Sequence, residues 1–144
     1  MAITQALPNS FKKQLLDGDQ DFSSAGGDKF KLALYVSTAT LGAATTSYTT
    51  GGEVSSSGTN YTTGGKALVN SGTSLVSTVA FTDFADLSFQ SVTLTARGCL
   101  IYNTSFSNSA VAVLSFTTDK TATAGTFTIQ FPAFTSSAAI IRIS

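Results

Sequence analysis

Apolar residues fall first at helical and then at strand spacing along this chain. Phe11, Leu15 and Leu16 stand at i, i+4 and i+5, which puts them on one face of a helix. Asn9 or Ser10 can cap that helix and Gly18 can end it. A helix this short does not hold alone, so its apolar face must dock on the sheet of its own subunit or on a neighbour. A polar hinge rich in Asp, Ser and Gly follows, from Asp17 to Asp28.

From Lys29 the period becomes two. Phe30, Leu32 and Leu34 point one way, and Lys29, Lys31 and Ala33 the other, the pattern of a half-buried strand. Residues 37–65 are rich in Thr, Ser and Gly, with few apolar anchors. Within them Tyr48-Thr-Thr-Gly-Gly-Glu53 recurs as Tyr61-Thr-Thr-Gly-Gly-Lys66. Two copies are too few for a solenoid and read as two similar Gly-Gly turns, each beside an anchoring tyrosine. A loop this long inside a compact domain is uncommon unless it has a function, which makes it the first place to look for a partner contact.

Beyond it, strands are expected at Lys66–Val69, Leu75–Phe84, Ser91–Thr95, Gly98–Asn103, Ala110–Phe116, Gly125–Phe131 and Ala138–Ile143. Leu100-Ile101-Tyr102 and Val111 to Leu114 are continuously apolar and read as central strands. Ser107-Asn108-Ser109, Asp119-Lys120 and Ala124-Gly125 supply turn chemistry. Short strands with regular breaks, and no helices between them, predict an all-β single domain of β-sandwich or jelly-roll type. The expected division is residues 1–28 as an N-terminal arm with a short helix and 29–144 as the sandwich. Deleting the arm is then expected to leave a folded sandwich that no longer joins its partner.

Composition sharpens this. Charged residues are 11% of the 144, well under the usual ~25%, and Ser and Thr together make up about thirty per cent. A polar face built from Thr and Ser belongs to a sheet. Net charge is zero with the charges scattered singly, so no basic stripe supports nucleic-acid binding. Zero charge also weakens self-repulsion, which favours an assembled subunit. No apolar run approaches the ~18 residues of a membrane helix, and the N-terminal Met-Ala-Ile-Thr-Gln has no signal-peptide pattern.

Candidate chemistry is sparse. The chain has no histidine, so a Ser-His pair is excluded, and its one cysteine, Cys99, lies in an apolar run and reads as a core residue. Asp17, Asp19 and Asp21 imitate the start of a calcium loop, with Asp28 at its twelfth position. Phe22, however, stands where such a loop needs Gly, and a solvated hinge is the expected reading. Asp83 and Asp86 imitate a glycosidase pair but read as turn residues at a bend. Arg97 is expected in a surface or subunit-interface ion pair, or holding a partner's carboxylate. No cofactor or metal is expected, and the chain is expected not to be an enzyme.

Several stretches resemble a family of small virion structural proteins of tailed bacteriophages. They are Phe30-KLALYVSTATLG-Ala43, Asp83-FADLSFQSVTLTARGCLIY-Asn103, Ala110-VAVLSFTTDKTATAGTFTIQF-Pro132 and Ala139-IIR-Ile143, preceded by Phe11-KKQLLD-Gly18. The resemblance spans roughly residues 10 to 143 and carries no catalytic signature. It implies a place in the virion after synthesis in the host cytoplasm, as a capsid decoration (cement) protein that stabilises contacts between capsomers. The implied partners are the major capsid protein and copies of itself, as a homotrimer, without nucleic acid or membrane. A tail or fibre-attachment component is the alternative, and a carbohydrate-binding module a further one. Phe11 and Leu15 on the arm, Tyr48 and Tyr61 on the loop, and Arg97 are the expected partner-contact residues, since tyrosine and arginine are enriched at interfaces.

Overall fold

The computed structural model describes residues 2–144; Met1, part of the expected arm, lies outside them. The fold is all-β with one short N-terminal helix. Helix α1 (Asn9–Asp17) is followed by strands β1 (Phe30–Tyr35), β2 (Lys66–Ala67), β3 (Asn70–Val76), β4 (Val79–Phe84), β5 (Leu87–Asn103), β6 (Ser109–Ile129) and β7 (Ile141–Ile143). They make two antiparallel sheets, β2-β1-β5-β6 and β3-β4-β7.

Helix α1 ends as expected, at Gly18 in the left-handed conformation, whose N–H and that of Asp19 bond back to the Leu15 and Gln14 carbonyls. Its start differs from expectation. Pro8 holds the cap position with no side-chain cap, because the chain enters the helix at proline's fixed φ, and neither Asn9 nor Ser10 caps.

Two long strands replace four expected short ones. β5 joins Ser91–Thr95 to Gly98–Asn103, and β6 joins Ala110–Phe116 to Gly125–Phe131 as far as Ile129. The expected turn at Asp119-Lys120 is instead the end of a bulge, with Asp119 inside it and Lys120 the first paired residue after it. Ala96 pairs with Lys120 and Gly98 with Ser115, so Phe116–Asp119 arch out opposite a single residue. Thr117 there has φ +65°, and Arg97 bonds Asp119 at 2.8 Å across the bulge.

β1 is not half-buried but covered on both faces. Leu32 and Leu34 join the main core with Ile101, Val111, Phe84 and Phe127. Ala33 and Tyr35 on the other face meet Leu41, Leu100, Tyr102 and Val113 in a second layer, roofed by the chain after β1 and by Ile3. That double burial explains the unbroken apolar run Leu100-Ile101-Tyr102 in β5, which is paired with β1 on one side and β6 on the other. The run Val111–Leu114 lies on the outer strand β6 instead, and its apolar continuity comes from the roof, where Ala6 bridges Val113.

The helical arm is part of the core. Phe11 has no exposed surface. Its ring meets Phe22 edge-on at 6.0 Å, and Phe22 stacks on Phe30 of β1 at 4.8 Å. Most of the Asp17–Asp28 hinge is exposed, as expected, but it is pinned at Gln20 and Asp28 by a polar network that reaches into the interior. The Asn103 amide donates to Gln20 and Asp28 at 2.8 and 2.7 Å, and the Gln20 amide donates to Ser109 at 3.0 Å. Removing residues 1–28 therefore strips two core phenylalanines and takes both acceptors from the Asn103 amide NH2, so the truncated chain is not expected to fold. This reverses the expectation drawn from the sequence.

Candidate functional site

The long loop between β1 and β2 is organised around one carboxylate. β1 runs past Tyr35 into a turn in which the Val36 N–H bonds the Gly52 carbonyl, and the Val54 N–H bonds the Leu34 carbonyl. Glu53 thereby lies beside Tyr35 as if in an adjacent strand. Its Oε2 accepts from the Tyr48 hydroxyl at 2.6 Å. Its Oε1 accepts from the Tyr61 hydroxyl and the Gly64 N–H, both at 2.7 Å. The repeat thus closes on itself: the acid of the first copy is gripped by the tyrosines of both copies and by the Gly-Gly turn of the second.

All four tyrosines of the chain converge here. Tyr61 also accepts from the buried Leu34 N–H at 3.0 Å, and Tyr35 donates to the Thr49 carbonyl at 2.6 Å. Tyr102 donates to the Gly64 carbonyl at 2.6 Å and stacks on Tyr48 with ring centres 4.7 Å apart. Burial first, and then the Glu53 carboxylate, raise all four phenols above the ordinary tyrosine range. They stay protonated donors at any physiological pH.

The repeated glycines have one geometric purpose. Gly52 and Gly65 have φ +78° and +80°, and each crosses close over another segment. A Cβ on Gly52 would stand 2.6 Å from that of Ala39, and one on Gly65 would collide with the Leu32 carbonyl of β1. The Gly65 turn presses against β1 and the Gly52 turn against Ala39 in the segment that follows β1, which is how so polar a loop becomes ordered.

The expected contact residues divide accordingly. Phe11 and Tyr61 are enclosed by their own subunit, Tyr61 with 2% of its surface exposed, so neither offers a face to a partner. The cause is the packing of the arm in one case and of the repeat in the other. Tyr48 and Leu15 are half-buried. Arg97 is engaged with Asp119 of its own chain. These five do not form one patch: Tyr48 and Tyr61 share the Glu53 cluster, Phe11 and Leu15 belong to the helix, and Arg97 lies at the β6 bulge.

Among the described residues no group of three or more His, Cys, Asp or Glu side chains is placed to hold a metal. The Asp17–Asp28 segment is occupied internally. Asp17 pairs with Lys13, Asp21 accepts from the Ser23 N–H, and the Asp21 N–H donates to Asp28. Cys99 is wholly buried, and burial pushes its thiol up, away from the reactive thiolate. Asp83 lies buried at the β4–β5 bend, with burial raising its carboxyl above the usual range and one oxygen unpartnered.

Sequence reasoning did not single out Glu53, although the repeat held the signal: the final residue of the two copies differs only there, Glu against Lys. Also unforeseen was a row of exposed apolar side chains on the small sheet. Leu75, Ala80 and Ile143 are cross-strand neighbours on β3, β4 and β7, beside Val76 at the hairpin tip. No helix among the described residues is long and apolar enough to cross a membrane. Comparison of the chain with protein-family models, with characterised proteins and with solved structures finds no match.

Proposed function

We propose that this chain is a non-enzymatic structural protein of a tailed-bacteriophage particle, specifically a capsid decoration protein that stabilises contacts between neighbouring capsomers. The observation that carries the reading is how the side chains are distributed. Glu53, the tyrosines and Cys99 are engaged inside: Glu53 by three donors, the tyrosines by Glu53 and backbone carbonyls, Cys99 by the core. The outside offers Ser and Thr together with bare apolar residues, Leu75 and Ile143 in the row just described, Val76 at the hairpin tip and Leu16 at 91% exposure on the helix. Exposed apolar groups that line up across strands mark contact surfaces. The string resemblance supplies the particle.

The mechanism is added interface area. A decoration protein bonded to two capsomers must be broken from one before they part, so it raises the load the shell withstands. Its own fold must not yield first, and the loop locked through Glu53 supports that. Partners in this reading are the major capsid protein and copies of the chain itself, as a homotrimer, located in the virion.

The test adds the purified protein to particles from which it has been deleted. The reading expects saturable binding and a rise in the temperature at which the particles release DNA, both reduced by Leu75→Asp with Ile143→Asp. Particles that neither bind the protein nor gain stability would overturn it. Binding confined to the tail would favour the tail or fibre-attachment role.

A further inference from the structure

The open side of the sandwich has an unfilled strand position. β6 is the outer strand of the large sheet and β7 that of the small one. Near its start β6 is covered by the chain's own N-terminal segment. Ala6 and Val113 exchange backbone hydrogen bonds at 3.0 and 2.9 Å, and the Gln5 side chain accepts from the Ser115 N–H. Among the described residues that segment makes no further backbone pairing with β6. After the bulge, β6 continues from Gly125 to Ile129, paired with β5 on its inner side across one further register shift between Gly125 and Phe127, and no strand of the described residues pairs with its outer side.

A groove of about 760 Å³ opens beside this stretch, between β6 and the segment leading into β7. Phe116 and Ile140 give it apolar walls, and Thr126 and Thr128 its polar lip. Gly125 leaves the backbone bare at one end, where another chain can approach closely. Free edges are normally blocked by proline, by charge on the edge, or by a covering loop. Gly125–Ile129 has none of these three, Pro132 comes only after it, and the one irregularity there, the register shift opposite Thr126, puts its extra residue on β5 and not on the free edge.

The charges around the groove say what enters it. Lys120 and Arg142 both line it, both are exposed, and neither makes an ion pair with any described residue. No Asp or Glu lines it. Two copies of the chain joined edge to edge would bring four unpaired cations together, which disfavours a second copy as the occupant.

We propose that the groove beside Gly125–Ile129 binds an extended, carboxylate-bearing peptide segment of a partner protein, which adds to β6 as a further strand. Main-chain hydrogen bonds to β6 hold the segment, an apolar side chain enters between Phe116 and Ile140, and its acid meets Lys120 and Arg142. The proposal does not rest on the particle reading, since any partner with such a segment satisfies it.

The test uses the full chain and two fluorescent octapeptides of alternating Val and Thr with Gly-Ser flanks. They are identical except for a central Asp in one and Lys in the other. Fluorescence polarisation measures binding, and hydrogen exchange locates it. The Asp peptide is expected to bind at least about tenfold more tightly than the Lys peptide and to slow exchange at Gly125–Ile129. The Lys120→Glu, Arg142→Glu variant changes only exposed side chains, and is expected to reverse that preference with its circular dichroism unchanged. Equal binding of the two peptides, or no protection of β6 by either, would overturn the proposal. So would protection that grows with protein concentration in the absence of peptide, which would assign the edge to a second copy.

Discussion

Replacing Glu53 with alanine tests whether one carboxylate holds the long loop. The substitution removes the acceptor of three hydrogen bonds, from the Tyr48 and Tyr61 hydroxyls and the Gly64 N–H, at 2.6 to 2.7 Å. Each bond to a charged acceptor contributes roughly 1.5–3 kcal/mol, and a buried donor left alone costs about 1–3. Glu53 and Tyr48 are only half-buried, so water replaces part of what is lost there, while Tyr61 and Gly64 are buried. Tyr61 is the stringent case, because its hydroxyl must still accept from the Leu34 N–H. The sum, discounted for water and for bonds that are not additive, is about 3 kcal/mol, or a fall in Tm of roughly 10 °C for a domain of this size. Glu53→Gln keeps an acceptor for Oε1's two donors and should lose only about 1 kcal/mol. Denaturant unfolding measures both, and exchange of the amides in residues 37–65 should accelerate in Glu53→Ala before global unfolding. A double-mutant cycle with Tyr61→Phe should give a coupling of about 1–2 kcal/mol. A Glu53→Ala protein within about 0.5 kcal/mol of the parent would refute the reasoning, as would a cycle with no coupling.

Raised phenol ionisation means that the folded state holds the tyrosine protons more tightly than the unfolded chain. This contribution is complete below the ordinary tyrosine value of about 10 and is lost as pH rises above it. Absorbance at 295 nm should therefore report tyrosinate only together with loss of the β-sheet dichroism; tyrosinate formed in an intact fold would contradict this. Asp83 has the same sign, since its raised carboxyl favours the protonated form and ionisation costs stability as pH rises from about 3.8. Asp83→Asn should match or exceed the parent's Tm at pH 7 and lose that advantage toward pH 4, whereas a loss above about 1 kcal/mol at pH 7 would show that the charge has a use. Gly65→Ala should cost more than about 2 kcal/mol, because its Cβ meets the Leu32 carbonyl, while Gly58→Ala, at similar φ but in open space, should cost only about 1. Equal losses at the two glycines, measured by urea unfolding, would remove the close-crossing argument.

Local pattern made some elements readable and tertiary context hid others. The helix was visible because Phe11, Leu15 and Leu16 fall at helical spacing before Gly18, although Leu16 turns out exposed and does not share the docked face, and Gly98–Asn103 because its apolar run lies on the doubly paired strand β5. The long strands were not, because bulges at Phe89–Val92 and Ala96–Gly98 break the period of two without breaking the pairing. Asp119-Lys120 has turn chemistry that the bulge uses in place of a turn. Phe11 and Tyr61 were read as contact residues because aromatic side chains in an arm and a loop resemble an interface until their own core is seen to enclose them. The repeat signalled that residues 48–66 formed a unit, but not that Glu53 was its centre, since that depends on Gly65 pressing its turn against β1 and Gly52 pressing its own against Ala39.

The central claim, that the chain is a shell-wide structural component of a phage particle, is tested most directly by its copy number. The measurement is the molar ratio of this protein to the major capsid protein in purified particles, by quantitative mass spectrometry. The account predicts a ratio in keeping with hundreds of copies per particle. A dozen or fewer would contradict the decoration role and place the protein at the tail or portal vertex, and its absence from the particles would contradict the virion reading altogether.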